Sequence, residues 1–371
     1  MSSSSFKLDN FAQPSPPRSI FFLGATGYLG GQVLKFLGDK YSKTPASMSI
    51  YALIRSPVPE RLRQLQTLYP NVTAIEGSLD DYDVIKNEAS KHLVVINTAS
   101  SDHPRSVEAT LEGLKTYSLS HPGDPPLYIH TSGLGFTSDN ARGQPVDEKD
   151  FKVYTDVGLD LEACEGYHLD CDKQIIRAGK DEDVPIRTVI VFPTWIYGLS
   201  DGPQKLTWPI RNLFPLFKEA GYAGTWGPGA NRMMSCHVKD VADAFLVILQ
   251  AALATGQETK LELKFGKEGL YFVGSENPLL TMYDITSQWG KILHKKGALN
   301  FSESKPLPDS VTAKFGEFGW SMLGGSIVAE IKRIKQLGWK AEVSESEGMS
   351  LLECLEEEVS LFLETEGYDT I

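Results

Sequence analysis

Cysteine is scarce in this chain. Its 371 residues contain four, Cys164, Cys171, Cys236 and Cys354, and no two of them form a Cys-x-x-Cys pair. That argues against a disulfide framework and fits a reducing compartment. The seven histidines add no ligand spacing to these thiols, so no metal is expected. A bilayer-length apolar run is also missing. The longest, Ala244 to Ala254, is interrupted by Gln250 and is too short to cross a membrane. There is no basic excess: 36 Lys and Arg stand against 48 Asp and Glu, a formal net charge of -12. Such a surface repels a phosphate backbone, which argues against nucleic acid as a partner. The Ser/Pro-rich stretch Met1 to Arg18 lacks an apolar signal core and reads as a disordered tail, with the cytosol as the default address. No internal repeat is present.

What the chain does have is a glycine turn. Gly24-Ala25-Thr26-Gly27-Tyr28-Leu29-Gly30-Gly31 directly follows the apolar run Ile20 to Leu23 and opens a helical pattern of Leu29, Val33, Leu34 and Leu37. A strand, a glycine turn and a helix N-terminus are what a dinucleotide pyrophosphate requires. Gly24 permits the tight turn, Gly27 lets the backbone approach the phosphates, and Gly30 lets helix and strand pack closely. Alternation then continues. Strands are expected at Ser49 to Ile54, Val72 to Ile75, Leu93 to Ile96, Leu127 to His130 and Arg187 to Phe192. Helices are expected at Glu60 to Leu68, Val107 to Leu119 and, as one long element, Leu161 to Ala178. Short apolar strands between helices predict an α/β fold, a Rossmann-like doubly wound parallel sheet.

From Gly198 the composition changes to prolines, glycines and aromatics, which predicts a loop-rich, smaller C-terminal substrate-binding cap. The expected division is a tail at 1–18 and a dinucleotide-binding domain at 19–198. A helix at 238–252 and sheet additions return to that domain, and 199–237 with 253–371 form mainly the cap and C-terminal helices. Ile327 to Glu366 reads as helical, with Glu356-Glu357-Glu358 as a solvated face.

The end of the second strand selects the nucleotide. An acidic residue there favours NAD; this chain has Arg55-Ser56, and a guanidinium with a hydroxyl suits a 2′-phosphate. NADP(H) is therefore favoured over NAD(H), the alternative being a surface arginine at a strand end. After the third strand, Ser78 and the Leu79 backbone are placed at the adenine edge.

With these residues in view, the chain resembles the extended short-chain dehydrogenase/reductase superfamily, the NAD-dependent epimerase/dehydratase-like group. Gly24-Ala25-Thr26-Gly27-Tyr28-Leu29-Gly30 matches its Gly-x-x-Gly-x-x-Gly, which makes Gly24, Thr26, Gly27, Tyr28, Leu29 and Gly30 cofactor-binding positions. Ile96-Asn97-Thr98-Ala99-Ser100 is similar to the segment passing the nicotinamide ribose. Tyr128 to Ser132 resembles the fifth strand with its active-site serine. Phe192-Pro193-Thr194-Trp195-Ile196-Tyr197-Gly198 resembles the loop beside the carboxamide, which implicates Pro193 and Ile196. His237-Val238-Lys239-Asp240-Val241-Ala242, and Leu337 to Lys340 followed by Leu351 to Val359, are similar to the group's later motifs.

The superfamily's Tyr-x-x-x-Lys pair is absent from Cys164 to Lys173. Aligned as one helix, Cys164 and His168 fall at its two positions. Tyr82 and Lys86 have the spacing but follow the third strand, on the adenine side. The catalytic candidates are Ser132 as a donor to a substrate oxygen, His168 as a proton source and Tyr167 as its neighbour, with Tyr154 a further one. A turn-capping serine and a ribose-contacting or surface histidine are the bland alternatives. Lys173 reads as solvated, His130 as a hydrogen-bonded core histidine and His237 as structural. Trp195, Trp208, Phe214, Trp226, Met233 and Met234 line a pocket or fill the core. Arg232 lies where sugar-nucleotide enzymes hold a diphosphate, but no basic cluster surrounds it.

The expected activity is an NADP(H)-dependent reductase acting on a carbonyl or activated double bond of a small, largely apolar or aromatic metabolite. Two alternatives stand beside it: an NADP-binding isomerase, epimerase or cyclase with little net redox, and a non-catalytic NADP-binding sensor. The resemblance also implies a homodimer through bundled helices.

Overall fold

The protein is described by a computed structural model over residues 19–42, 48–254 and 263–365; the tail expected at 1–18 and the last expected helical residue, Glu366, lie outside the described residues. The first half alternates as the sequence predicts: β1 (Ser19–Leu23), α1 (Tyr28–Tyr41), β2 (Ser49–Ile54), α2 (Pro59–Leu68), β3 (Val72–Glu76), α3 (Tyr82–Ala89), β4 (Val94–Asn97), α4 (Pro104–Ser120) and β5 (Leu127–Thr131). A short β6 (Tyr154–Thr155), α5 (Leu169–Ala178) and β7 (Arg187–Pro193) follow.

The later elements are β8 (Trp195–Tyr197), α6 (Trp208–Ala220), β9 (Gly224–Thr225), β10 (Arg232–His237), α7 (Val238–Leu253), β11 (Leu270–Val273), β12 (Ser275–Thr281) and α8 (Met282–Lys295). The chain ends through β13 (Lys305–Pro306), α9 (Asp309–Thr312), α10 (Gly316–Gly324), β14 (Ala329–Glu330), α11 (Arg333–Gln336) and α12 (Leu351–Thr365).

Seven strands form one sheet in the order β11-β7-β5-β4-β1-β2-β3, every pairing parallel. Strand order reverses between β1 and β4, the switch point outside which such sheets bind ligands. Continuous apolar strands suit a sheet covered on both faces: Ile20, Phe21, Phe22 and Leu23 are fully buried, at about 1.5–3 kcal/mol for each large side chain. Leu29, Val33, Leu34 and Leu37 of α1 are buried too, as their spacing predicts. The seventh strand, β11, is an addition from beyond α7.

Three expectations are corrected. Leu161 to Ala178 is not one helix. A single 3₁₀ turn, Leu161–Ala163, ends before α5 begins at Leu169. Gly166 at φ 132° and His168 at φ 74° break the helical path between them. Ile327 to Glu366 is likewise divided, into β14, α11 and α12, with Gly338 and Gly348 at positive φ between the helices. The region after Gly198 is less loop-rich than its composition suggests. α6 spans 13 residues there, and β8 and β10 join β12 in a second sheet.

Candidate active site

The glycine turn closes the carboxyl end of β1. Gly24 stands at φ 94°, and a Cβ on it would meet the Ala99 nitrogen at 2.6 Å and Thr98 at 2.7 Å. A Cβ on Gly30 would collide with the Gly24 carbonyl. The turn is held by Gly27 N–H donating to the Gly24 carbonyl at 2.8 Å. No side chain caps α1, and the N–H groups of Tyr28 and Leu29 find no acceptor among the described residues. These free donors and a cradle that any side chain would fill fit a dinucleotide pyrophosphate. Thr98 N–H bonds the Leu23 carbonyl at 2.9 Å, and Ala99 N–H bonds the Asn97 side chain at 2.9 Å, which sets the β4 end against the turn. Thr26 is half-buried in the turn.

While its N–H stays free, the Tyr28 side chain ties the turn to a later loop. Its hydroxyl donates to the Gly198 carbonyl at 2.6 Å, while Ser200 donates to the Tyr28 carbonyl at 2.8 Å. From the other side Gly198 N–H donates to Glu358 at 2.8 Å. The loop after Pro193 is thus pinned to α1 and α12 together. Ile196 sits in β8, and its carbonyl accepts from Thr207. Glu358 is buried, which corrects the solvated face expected for it; Glu356 and Glu357 remain exposed.

Arg55 and Ser56 are exposed beyond β2, and Arg55 makes no ion pair or hydrogen bond among the described residues. Arg61, which the sequence reading passed over, donates to the Ser56 carbonyl at 3.3 Å and brings a second guanidinium there. Ser78 is already engaged: its N–H and hydroxyl both bond Asp81, at 2.6 and 2.8 Å. The neighbouring Leu79 is half-buried.

The chemistry-bearing residues meet beyond β4 and β5. The Ser132 hydroxyl, just past β5, is hydrogen-bonded to the Asp172 carboxyl at 2.7 Å, and both side chains are buried. His168 caps the start of α5, and its carbonyl accepts from Cys171 and Asp172 N–H. Its Nδ1 lies 2.8 Å from Asp102, in the segment after β4, and its Nε2 faces Gly133 and Gly135. The His168 hydrogen bond holds the Asp102 carboxyl below the usual carboxylate range, whereas burial pushes that of Asp172 well above it. Ser100 accepts from Asp102 N–H, which steadies this segment.

Cys164 and His168 therefore do not share a helix face. The pair one turn apart at the start of α5 is His168 and Asp172. The sequence reading missed Asp172 and Asp102. Asp172 was detectable as the residue four after His168, in the spacing of the absent Tyr-x-x-x-Lys. Nothing local marks Asp102.

Tyr167 points to the cap. Its ring meets Phe318 of α10 edge-on at 5.2 Å, and Phe318 meets Trp208 at 6.1 Å. Trp208 is 43% exposed, whereas Phe214, Trp226, Met233 and Met234 are core residues and Trp195 leans on Trp289. Lys173 is half-buried and donates to the Cys164 carbonyl at 2.8 Å, which corrects its solvated reading. Tyr154 packs on Phe136. His130 is fully buried against Tyr128 and Asn97, at 3.0 and 3.2 Å, and burial lowers its pKa to about 3. His237 caps α7. Lys86 pairs with Glu112, away from this cluster. Among the described residues no group of side chains could hold a metal, and no helix is long and apolar enough to cross a membrane.

No family model matches the chain. It is 28% identical over 269 residues to the oxidase ucsJ of Acremonium, covering 69% of this chain and 74% of that protein. A UDP-glucose 4-epimerase from Thermotoga maritima, crystallised with UDP-glucose, aligns with a TM-score of 0.59 at 16% identity, over 94% of this chain and 99% of that one. A dTDP-glucose 4,6-dehydratase from Bacillus anthracis, in complex with NAD, aligns with a TM-score of 0.60 at 15% identity, over 94% and 98%. These neighbours are NAD-dependent epimerase/dehydratase-like members of the short-chain dehydrogenase/reductase superfamily, and the chain has their fold.

Proposed function

From a chain with the fold of the epimerase/dehydratase-like short-chain dehydrogenases, we infer that this protein is an NADP(H)-dependent oxidoreductase acting on a carbonyl or activated double bond of a small, largely apolar metabolite. One observation carries the reading. The open glycine turn after β1, the segment holding Asp102 after β4, Ser132 after β5 and His168 before α5 converge at one edge of the sheet. The oxidase among its relatives supports a redox role.

In this reading the α1 N–H groups hold the pyrophosphate, and Arg55, Ser56 and Arg61 hold the 2′-phosphate. A bound nicotinamide supplies or accepts the hydride. Ser132 hydrogen-bonds the substrate oxygen. His168, oriented by Asp102, exchanges a proton with the substrate. The half-exposed ladder of Tyr167, Phe318 and Trp208 offers an apolar wall to the substrate. A sensor has no use for the Ser132–Asp172 and His168–Asp102 pairs, which favours an enzyme. Likeness to an epimerase and a dehydratase favours, as second reading, an isomerase that returns the hydride.

The test is calorimetric titration of the purified protein with NADPH, NADP, NADH and NAD, followed by nucleotide consumption with candidate carbonyl substrates. The reductase consumes one nucleotide per product; the isomerase forms product without net consumption.

A further inference from the structure

Asp172 has no role in the reading above, and its surroundings call for one. It is fully buried, one carboxyl oxygen lies 2.7 Å from the Ser132 hydroxyl, and the other is buried without any hydrogen-bond partner. No cation answers it. Lys173, next in sequence, is spent on the Cys164 carbonyl. Titratable groups near it are Tyr128 on β5, Cys171 on α5 and Asp102 after β4, with His130 on β5 and His168 at the start of α5 facing Asp102. Burial keeps Tyr128 protonated, keeps His130 neutral with a pKa of about 3, and pushes the Cys171 thiol up to about 12. His168 is turned to Asp102, which adds negative charge. An ionised carboxylate here would be buried, unpaired and half unsatisfied, which is costly enough that such a group takes up a proton instead.

We propose that Asp172 is a proton-holding positioning residue, a buried carboxylic acid that donates to the Ser132 oxygen and so turns the serine's own hydrogen toward the substrate. The proposal rests on the oxidoreductase reading. Were Asp172 ionised, it would accept the Ser132 hydrogen and withdraw it from the substrate. In the reducing direction a bound reduced nicotinamide nucleotide would supply the hydride, and Ser132, so oriented, would hydrogen-bond the carbonyl oxygen that receives the proton. The proton comes from His168, as in the reading above, and Asp172 keeps its own throughout. A proton from solvent returns to His168 after the alcohol leaves. The balance is one hydride and one proton per carbonyl. Asp102 and Asp172 thus divide the work as two carboxyls whose environments push their protonation in opposite directions.

The test is infrared spectroscopy of the full-length protein near neutral pH, comparing wild type with Asp172→Asn and Ser132→Ala. Glu358 and Asp243, whose carboxyls burial pushes up to about 8 and about 7, contribute equally to all three spectra and cancel in the differences. The expected result is a protonated-carboxyl band that Asp172→Asn removes and Ser132→Ala shifts. If Asp172→Asn fails to fold, the Ser132→Ala shift decides alone. Loss of carboxylate intensity in Asp172→Asn, or an unshifted band in Ser132→Ala, overturns the proposal. Titration of the same wild-type sample with NADPH separates the two ideas. Binding without the band sinks only the role of Asp172, and the band without binding sinks the oxidoreductase reading on which that role depends.

Discussion

His168 stands at φ 74°, a backbone angle that costs a non-glycine residue on the order of 1–3 kcal/mol, and it is held there by Asp102. Strain of this kind persists where neighbours enforce it, and here it aims an imidazole at the loop after β5. Ser132→Ala and His168→Gln are each expected to lower turnover about a hundredfold or more, with nucleotide affinity unchanged, as steady-state rates and calorimetry will show. Full activity in Ser132→Ala would remove the hydroxyl from the chemistry. Arg55→Asp is expected to weaken NADPH roughly tenfold to a hundredfold while sparing NADH, since a charge-assisted contact contributes about 1.5–3 kcal/mol. Equal losses for both nucleotides would withdraw the 2′-phosphate assignment. At this scale the sequence revealed Ser132 and His168 as single residues. It concealed Asp102, because that contact joins positions far apart in the chain, and it concealed Asp172, because an aspartate on a helix ordinarily faces water.

Among the elements, the strand–turn–helix unit was the most legible, since its glycines are dictated by backbone geometry. Gly30→Ala places a Cβ against the Gly24 carbonyl, a backbone atom that cannot yield cheaply. The expected outcome is destabilisation by about 1–3 kcal/mol in thermal unfolding together with loss of nucleotide binding. A variant with unchanged melting and binding would show that the turn is looser than described. The break before α5 was not legible, because apolar spacing runs through Leu161 and Leu169 while the interruption lies in two backbone angles. α12 holds the second surprise. Glu358 reads as one of three surface glutamates, yet its carboxyl is buried on Gly198 N–H and burial pushes its pKa up to about 8 from an ordinary 4.5. The folded state therefore binds the extra proton. Stability is full below about 4.5 and declines as pH rises through about 8. Glu358→Gln, which keeps an acceptor for Gly198, is expected to flatten this decline and raise the melting temperature at alkaline pH. A wild-type curve already flat across that window would contradict it.

For the whole molecule, alternation of apolar strands and helices was enough to read the doubly wound sheet. A sheet addition from beyond α7 was expected, but the residues of β11 were not named, because there sequence order no longer follows spatial order. The resemblance implies a homodimer through bundled helices, and the outer face of α4 and α5 carries Glu108, Glu112, Lys115 and Arg177 around Leu111. We propose a homodimer there, and so charged a face should give one that weakens with salt in sedimentation; a salt-independent dimer would place the contact elsewhere. α10 reaches the start of α5 through the contact of Phe318 with Tyr167.

All of these roles depend on the turn after β1 binding a nicotinamide nucleotide, and calorimetric titration of nucleotide-free protein tests this most directly. The account predicts saturable heat with NADPH or NADP, stronger than with NADH or NAD and lost in Gly30→Ala. Absence of heat with all four nucleotides would contradict it.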